Sequence, residues 1–105
     1  MDTAKKDRLA ASGWRAGDAA EFLELTAEEA ALVEMRLALA DYLREVRAEH
    51  GLTQSQVARK LGSSQSRVAK MEAADATVSL DLLVKALLAL GASRAEVGAV
   101  IAKAA

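Results

Sequence analysis

Thr53-Gln-Ser-Gln-Val-Ala-Arg-Lys-Leu-Gly-Ser-Ser-Gln-Ser-Arg-Val-Ala-Lys-Met-Glu72 decides the fold of this chain. The stretch reads as two short helices around a tight turn. Thr53 is placed to cap the first helix, and Gln56, three residues on, returns the bond in a capping box. Leu52 and Val57 flank the cap at the spacing of a hydrophobic staple. Val57, Ala58 and Leu61 share one helical face. Gly62 stands where the chain leaves that helix and needs a positive φ, which glycine adopts at little cost. Ser64 starts the second helix as its N-cap. Val68 and Met71 form that helix's inner face, with Ala69 beside them. Its outer face is Gln65, Ser66, Arg67 and Lys70. Small Ala58 lets the two helices approach closely at a steep angle.

The caps and the glycine also suit an ordinary helical hairpin whose polar face meets water. The order of polar types separates the two readings. A carboxamide at Gln65 presents a donor beside an acceptor, the pair that complements adenine N6 and N7 in the major groove. Lys70 suits guanine O6 and N7, or a phosphate if the helix tilts, and Arg67 suits either. Arg59 and Lys60 are weaker phosphate candidates, since a solvated surface charge explains them equally well.

The segment from Leu43 to about Leu90 resembles the Cro and phage-repressor (XRE) helix-turn-helix family. Arg47, Gly51-Leu52-Thr53-Gln54, Val57-Ala58, Leu61-Gly62, Ser64-Gln65, Val68, Met71-Glu72 and Ser79-Leu80-Asp81-Leu82-Leu83 carry the resemblance. It implies an all-α fold, a compact five-helix repressor-like domain with an N-terminal helical extension. It also implies base reading by Gln65, Ser66, Arg67 and Lys70. Phosphate contacts are expected from Gln54, Ser64, Arg59 and Lys60, with Gln54 at the family position that holds the DNA backbone. Arg47 and Glu72 match a structural ion pair that ties the first domain helix to the recognition helix. One departure stands out. The family usually places Gly or Asn, and often a cation, after the recognition helix, whereas this chain has Ala73-Ala74-Asp75-Ala76-Thr77.

Composition narrows the alternatives. Hydrophobic residues make up 52% of the 105 but aromatics only 3%, and no proline occurs, which favours a helical Leu/Ala/Val core. Absence of cysteine excludes disulfides and thiolate metal sites. A single histidine, His50, offers neither a metal cluster nor a nucleophile–base pair, so neither a metal, a cofactor nor an enzyme is expected. His50 precedes Gly51 at a helix end and is expected to meet the last carbonyls. No apolar run reaches membrane-spanning length and no signal-type segment opens the chain, so a bacterial cytoplasmic, nucleoid-associated protein is expected.

The net charge of −1 argues against nucleic acid until its distribution is examined. Residues 18–42 carry seven acids and one base, Arg36. Residues 43–72 carry six bases and three acids. The reading head is locally basic and the segment before it acidic, and local potential governs a DNA contact because salt screens beyond about 10 Å.

These features divide the chain into an N-terminal arm over 1–17, an acidic helical extension over 18–42 continuous with the first domain helix, and the DNA-binding domain over 43–105. The arm has Trp14 as its one large anchor. A short helix is expected over Asp18–Leu25, with Phe22 and Leu23 inward. Thr26 and Glu29 form a capping box that opens one long helix over about 27–49. Ser79 caps a further helix whose leucine stripe runs from Leu80 to Leu90 and stops at Gly91. Ser93 and Glu96 box the last helix, with Val97, Val100 and Ile101 on one face. Residual apolar surface there suits a dimer.

The resemblance implies a transcriptional repressor that binds double-stranded DNA as a homodimer on a pseudo-palindromic operator, most simply at its own promoter. The acidic extension resembles HigA-type antitoxins, which implies a basic RelE/HigB-like RNase toxin as partner. The alternatives are a stand-alone XRE-family regulator and a helix-turn-helix adaptor that binds protein rather than bases.

Overall fold

A computed structural model describes residues 25–104. The arm with Trp14, and the short helix expected over Asp18–Leu25 apart from its last residue, lie outside the described residues. Five helices and no strand occur among the described residues.

α1 (Ala27–Glu49) starts from Thr26, whose Oγ1 accepts from the Glu29 N–H at 3.1 Å while Glu29 returns the bond at 3.0 Å. Glu28 and Glu29 sit at the positive end of the helix dipole. No glycine interrupts the run, and α1 continues for 23 residues. Leu39, Leu43 and Val46 recur on one face and are buried. The acidic stretch 27–42 and the first domain helix are therefore one rod. Arg36, the base of that stretch, donates from Nε to the Val78 carbonyl at 3.2 Å and fastens α1 to the loop before α4.

α2 (Gln54–Leu61) and α3 (Gln65–Glu72) pack on each other at the turn. Thr53 and Gln56 complete their reciprocal box at 3.1 and 2.8 Å. Gly62 has φ +64°, and the following Ser63 N–H reaches back to the Ala58 carbonyl at 2.8 Å. This is the Schellman stop, which satisfies carbonyls that the helix end leaves open. α3 ends the same way without glycine. Ala74 takes φ +53° and the Asp75 N–H bonds the Lys70 carbonyl at 3.0 Å.

α4 (Leu80–Ala89) is capped by Ser79, and α5 (Arg94–Lys103) by the Ser93–Glu96 box. α1 packs along α4 and α5 and touches α3, while α2 also meets α4. One core results, built from Leu39, Leu43, Val57, Val68, Met71, Leu83 and Leu87, all less than 2% exposed. Each comes from an apolar position of the helical pattern, and fully burying each is worth about 1.5–3 kcal/mol. Val97 of α5 is buried on this core, while Val100 and Ile101 are half-buried against it. His50 meets the end of α1 through its backbone N–H, which bonds the Val46 carbonyl at 3.1 Å; its exposed imidazole makes no hydrogen bond among the described residues. No described helix is long and apolar enough to cross a membrane.

Candidate nucleic-acid interface

α3 is held with its polar face outward by two attachments. Val68 and Met71 anchor its inner face in the core. Glu72, only 4% exposed, anchors its C-terminal end through charge. Arg47 of α1 donates from Nε to Glu72 Oε2 at 2.5 Å and from Nη2 to Oε1 at 3.0 Å, a two-pronged contact that fits the guanidinium fork. Its Nη1 also donates to the Leu52 carbonyl at 3.1 Å, so one side chain ties α1, the α1–α2 connection and α3 together. Hydrogen bonding to Glu72 holds the Arg47 guanidinium above even its high ordinary pKa, outweighing the opposing effect of burial.

The network continues to the surface. Gln54, at the start of α2, donates from Nε2 to Glu72 Oε1 at 3.1 Å. Its Oε1 in turn accepts from Gln65 Nε2 at 2.7 Å. A buried carboxylate thereby orients Gln54, and Gln54 orients Gln65. Gln65 has one acceptor oxygen and two amide hydrogens; one hydrogen goes to Gln54, which leaves an acceptor beside a donor.

Ser66, Arg67 and Lys70 are exposed on the same helix. Ser64 Oγ accepts from the Arg67 N–H at 3.2 Å, the N-cap bond of α3, and lies 3.3 Å from Ser66 Oγ. Beside this face runs a cleft of about 350 Å³ shared by Ser66, Arg67 and Lys70 with Thr77 and Val78 of the following loop. No acid lines it. The carboxylate of Asp75 turns into its own loop, where Oδ1 accepts from the Thr77 N–H at 2.9 Å and hydroxyl at 2.6 Å.

A family model described as helix-turn-helix matches residues 43–97, just over half of the chain. The chain belongs to this helix-turn-helix family. It is an XRE-type DNA-binding transcriptional regulator. Comparisons with curated proteins and with solved structures give no match alongside it. The matched segment opens at Leu43, so the acidic first part of α1 precedes it.

Within the helix-turn-helix motif, the structure brings Gln54, Gln65, Glu72 and Arg47 into one bonded chain and leaves Ser66, Arg67 and Lys70 exposed beside it. Arg59 and Lys60 lie exposed in the last turn of α2, away from Gln54 at its start. Two neighbours of the interface were not legible in the sequence. Thr77 reaches the cleft of Arg67 and Lys70 from the loop, and Lys85 of α4 stands near Arg67 and Lys60. Neither carries a local signal, because tertiary packing alone sets both positions.

Proposed function

We propose that this chain is a sequence-specific repressor that reads an operator through α3. The supporting observation is the Glu72–Gln54–Gln65 chain. It holds the exposed Gln65 amide by one hydrogen and leaves a donor and an acceptor uncommitted, the pair a bidentate contact to adenine requires. Ser66, Arg67 and Lys70 read neighbouring bases from the same face. Gln54 keeps one amide hydrogen for a phosphate, and Ser64, Arg59 and Lys60 supply further backbone contacts that fix the register without reading sequence.

A homodimer places two reading helices about 34 Å apart on a pseudo-palindromic site. Repression follows by occlusion of the promoter, most simply the chain's own. Glu28, Glu29 and Asp41 are exposed on the part of α1 that precedes the matched segment. That acidic rod supports a second role, neutralising a basic RelE/HigB-like toxin, as in a type II toxin–antitoxin pair.

Fluorescence anisotropy with DNA from upstream of the gene tests the first role. Gln65→Ala should cost about 5- to 150-fold in preference over scrambled DNA and leave weak, salt-sensitive binding intact. Equal affinity of the wild type for both DNAs at physiological salt would sink the reading. Co-expression with the product of the adjacent gene tests the second role. A stable complex broken by charge reversal at Glu28, Glu29 and Asp41 supports it, and a neighbour that does not bind leaves a stand-alone regulator.

A further inference from the structure

Flanking α3 is a second cleft, which shares Arg67 with the cleft beside the reading face. It lies between the end of α2, the flank of α3 and α4, and encloses about 380 Å³. That volume falls within the range of small-molecule pockets. Its floor is apolar: Met71 and Ala86 are buried and Leu82 is half-buried. Its rim carries Lys60 from α2, Arg67 from α3 and Lys85 from α4, three exposed cations from three helices. Among the described residues, no acid lines the cleft and none of the three cations is in an ion pair.

This combination selects one ligand chemistry. Three like charges around one cleft repel each other, and an anion seated between them converts repulsion to attraction. An inorganic anion satisfies the rim and leaves the floor in water. A neutral apolar molecule covers the floor and leaves the charges unmatched. A basic ligand is repelled. Only an acid with an apolar body meets both surfaces.

We propose that this cleft binds a small apolar carboxylate, and that its occupancy weakens DNA binding. The link is Arg67, which lines both this cleft and the adjoining one that contains Ser66 and Lys70. A carboxylate held by Arg67 withdraws that charge from the reading face. The regulatory half rests on the DNA-reading role proposed above; the binding half does not.

The test uses the full chain and octanoate as probe, with 1-octanol, octyltrimethylammonium and inorganic phosphate as comparison ligands. Octanoate should shift the backbone amide resonances of Gly62, Ser63, Arg67 and Ala86 saturably. The other three should bind at least about tenfold more weakly, the worth of one charge-assisted contact. Lys85→Gln should weaken octanoate about tenfold, and Ala89→Trp, at the edge of the cleft, should block it. Both variants should bind operator DNA as the wild type does without octanoate. Saturating octanoate should weaken operator binding of the wild type about tenfold and leave Ala89→Trp unaffected. Octanol or phosphate binding as tightly as octanoate, or shifts that cluster elsewhere, overturn the site. Octanoate that binds here while operator affinity stays constant overturns the regulatory link. Failure of the free protein to prefer operator DNA defeats the base-reading role and leaves the amide-shift result standing.

Discussion

Replacing Arg47 by alanine removes the side chain through which the core holds the reading helix. Three hydrogen bonds disappear: two to Glu72, at 2.5 and 3.0 Å, and one to the Leu52 carbonyl at 3.1 Å. Glu72, 4% exposed with Arg47 in place, keeps only the Gln54 amide at 3.1 Å. A carboxylate stranded in this way typically costs about 3–5 kcal/mol. Arg47 has 24% of its side chain exposed, so water reaches the vacated space and the lower end, about 3 kcal/mol, applies. In a domain of this size that corresponds to a fall in Tm of about 12–24 °C.

Urea and thermal unfolding followed by far-UV circular dichroism measure the loss. A double variant, Arg47→Leu with Glu72→Leu, separates stranded charge from lost packing. Removing both charges together is often nearly neutral, because neither is left uncompensated. The double variant should therefore recover most of the stability lost in Arg47→Ala. A loss below about 1 kcal/mol in the single variant refutes the assignment of a buried, bonded pair. A double variant that costs as much as the two single changes combined shows that shape, not charge, carries the contact.

The network makes a further variant informative: Gln54→Ala should cost about 1.5–3 kcal/mol in urea unfolding, the worth of its bond to the Glu72 carboxylate, and should weaken operator binding because it frees the Gln65 amide. Arg59→Ala and Lys60→Ala should each lower the slope of log affinity against log salt by about 1 without changing sequence preference, as titration against operator and scrambled DNA will report. Gly62→Ala meets no steric obstacle, since an added Cβ touches nothing within 4 Å, so its cost should be that of the left-handed backbone, about 1–2 kcal/mol, less the about 0.5–1 kcal/mol of backbone freedom that alanine saves, a net loss of about 0–1.5 kcal/mol in thermal unfolding. Bonds from the Ser93 backbone N–H and then its hydroxyl hold the Glu96 carboxyl below the ordinary glutamate range, and Thr26 does the same for Glu29. Both groups therefore stabilise the fold above the ordinary glutamate value, and that contribution is lost as pH falls through their lowered values. Glu96→Gln keeps the capping bond and should flatten the acid decline of Tm; an unchanged pH profile refutes that cause.

Local chemistry made most of the fold legible. Thr26, Thr53, Ser64, Ser79 and Ser93 each cap the helix that their spacing predicted, because capping is decided within four residues. Gly62 and Gly91 stop helices for an equally local reason. The site was legible only by type. That Gln65 carries the right functional groups follows from its chemistry. That Gln54 spends its oxygen on Gln65 and one amide hydrogen on Glu72 depends on how α1, α2 and α3 cross, and no spacing within the chain encodes that crossing. The same limit hid Lys85, which reaches the cleft of Arg67 only because α4 packs against α1 and α2.

The loop after α3 shows how a local rule can be broken and still be obeyed in geometry. Gly51, Gly62 and Gly91 end their helices at positive φ, and the end of α3 demands the same conformation. Alanine supplies it at Ala74, at a cost of about 1–2 kcal/mol relative to a residue with no Cβ. Two terms offset that cost. Ala74 is 7% exposed, so its methyl buries surface worth about 0.8 kcal/mol, and alanine loses about 0.5–1 kcal/mol less backbone freedom on folding than glycine does. The terms nearly cancel, which explains how the chain dispenses with the glycine expected there. Asp75 follows the same logic. Its carboxylate would oppose a phosphate if it pointed outward, but it accepts both the N–H and the hydroxyl of Thr77 and closes the loop on itself. The segment that looked least suited to DNA in the sequence is thus one whose acid is turned to building the loop, with Thr77 set beside Arg67 and Lys70.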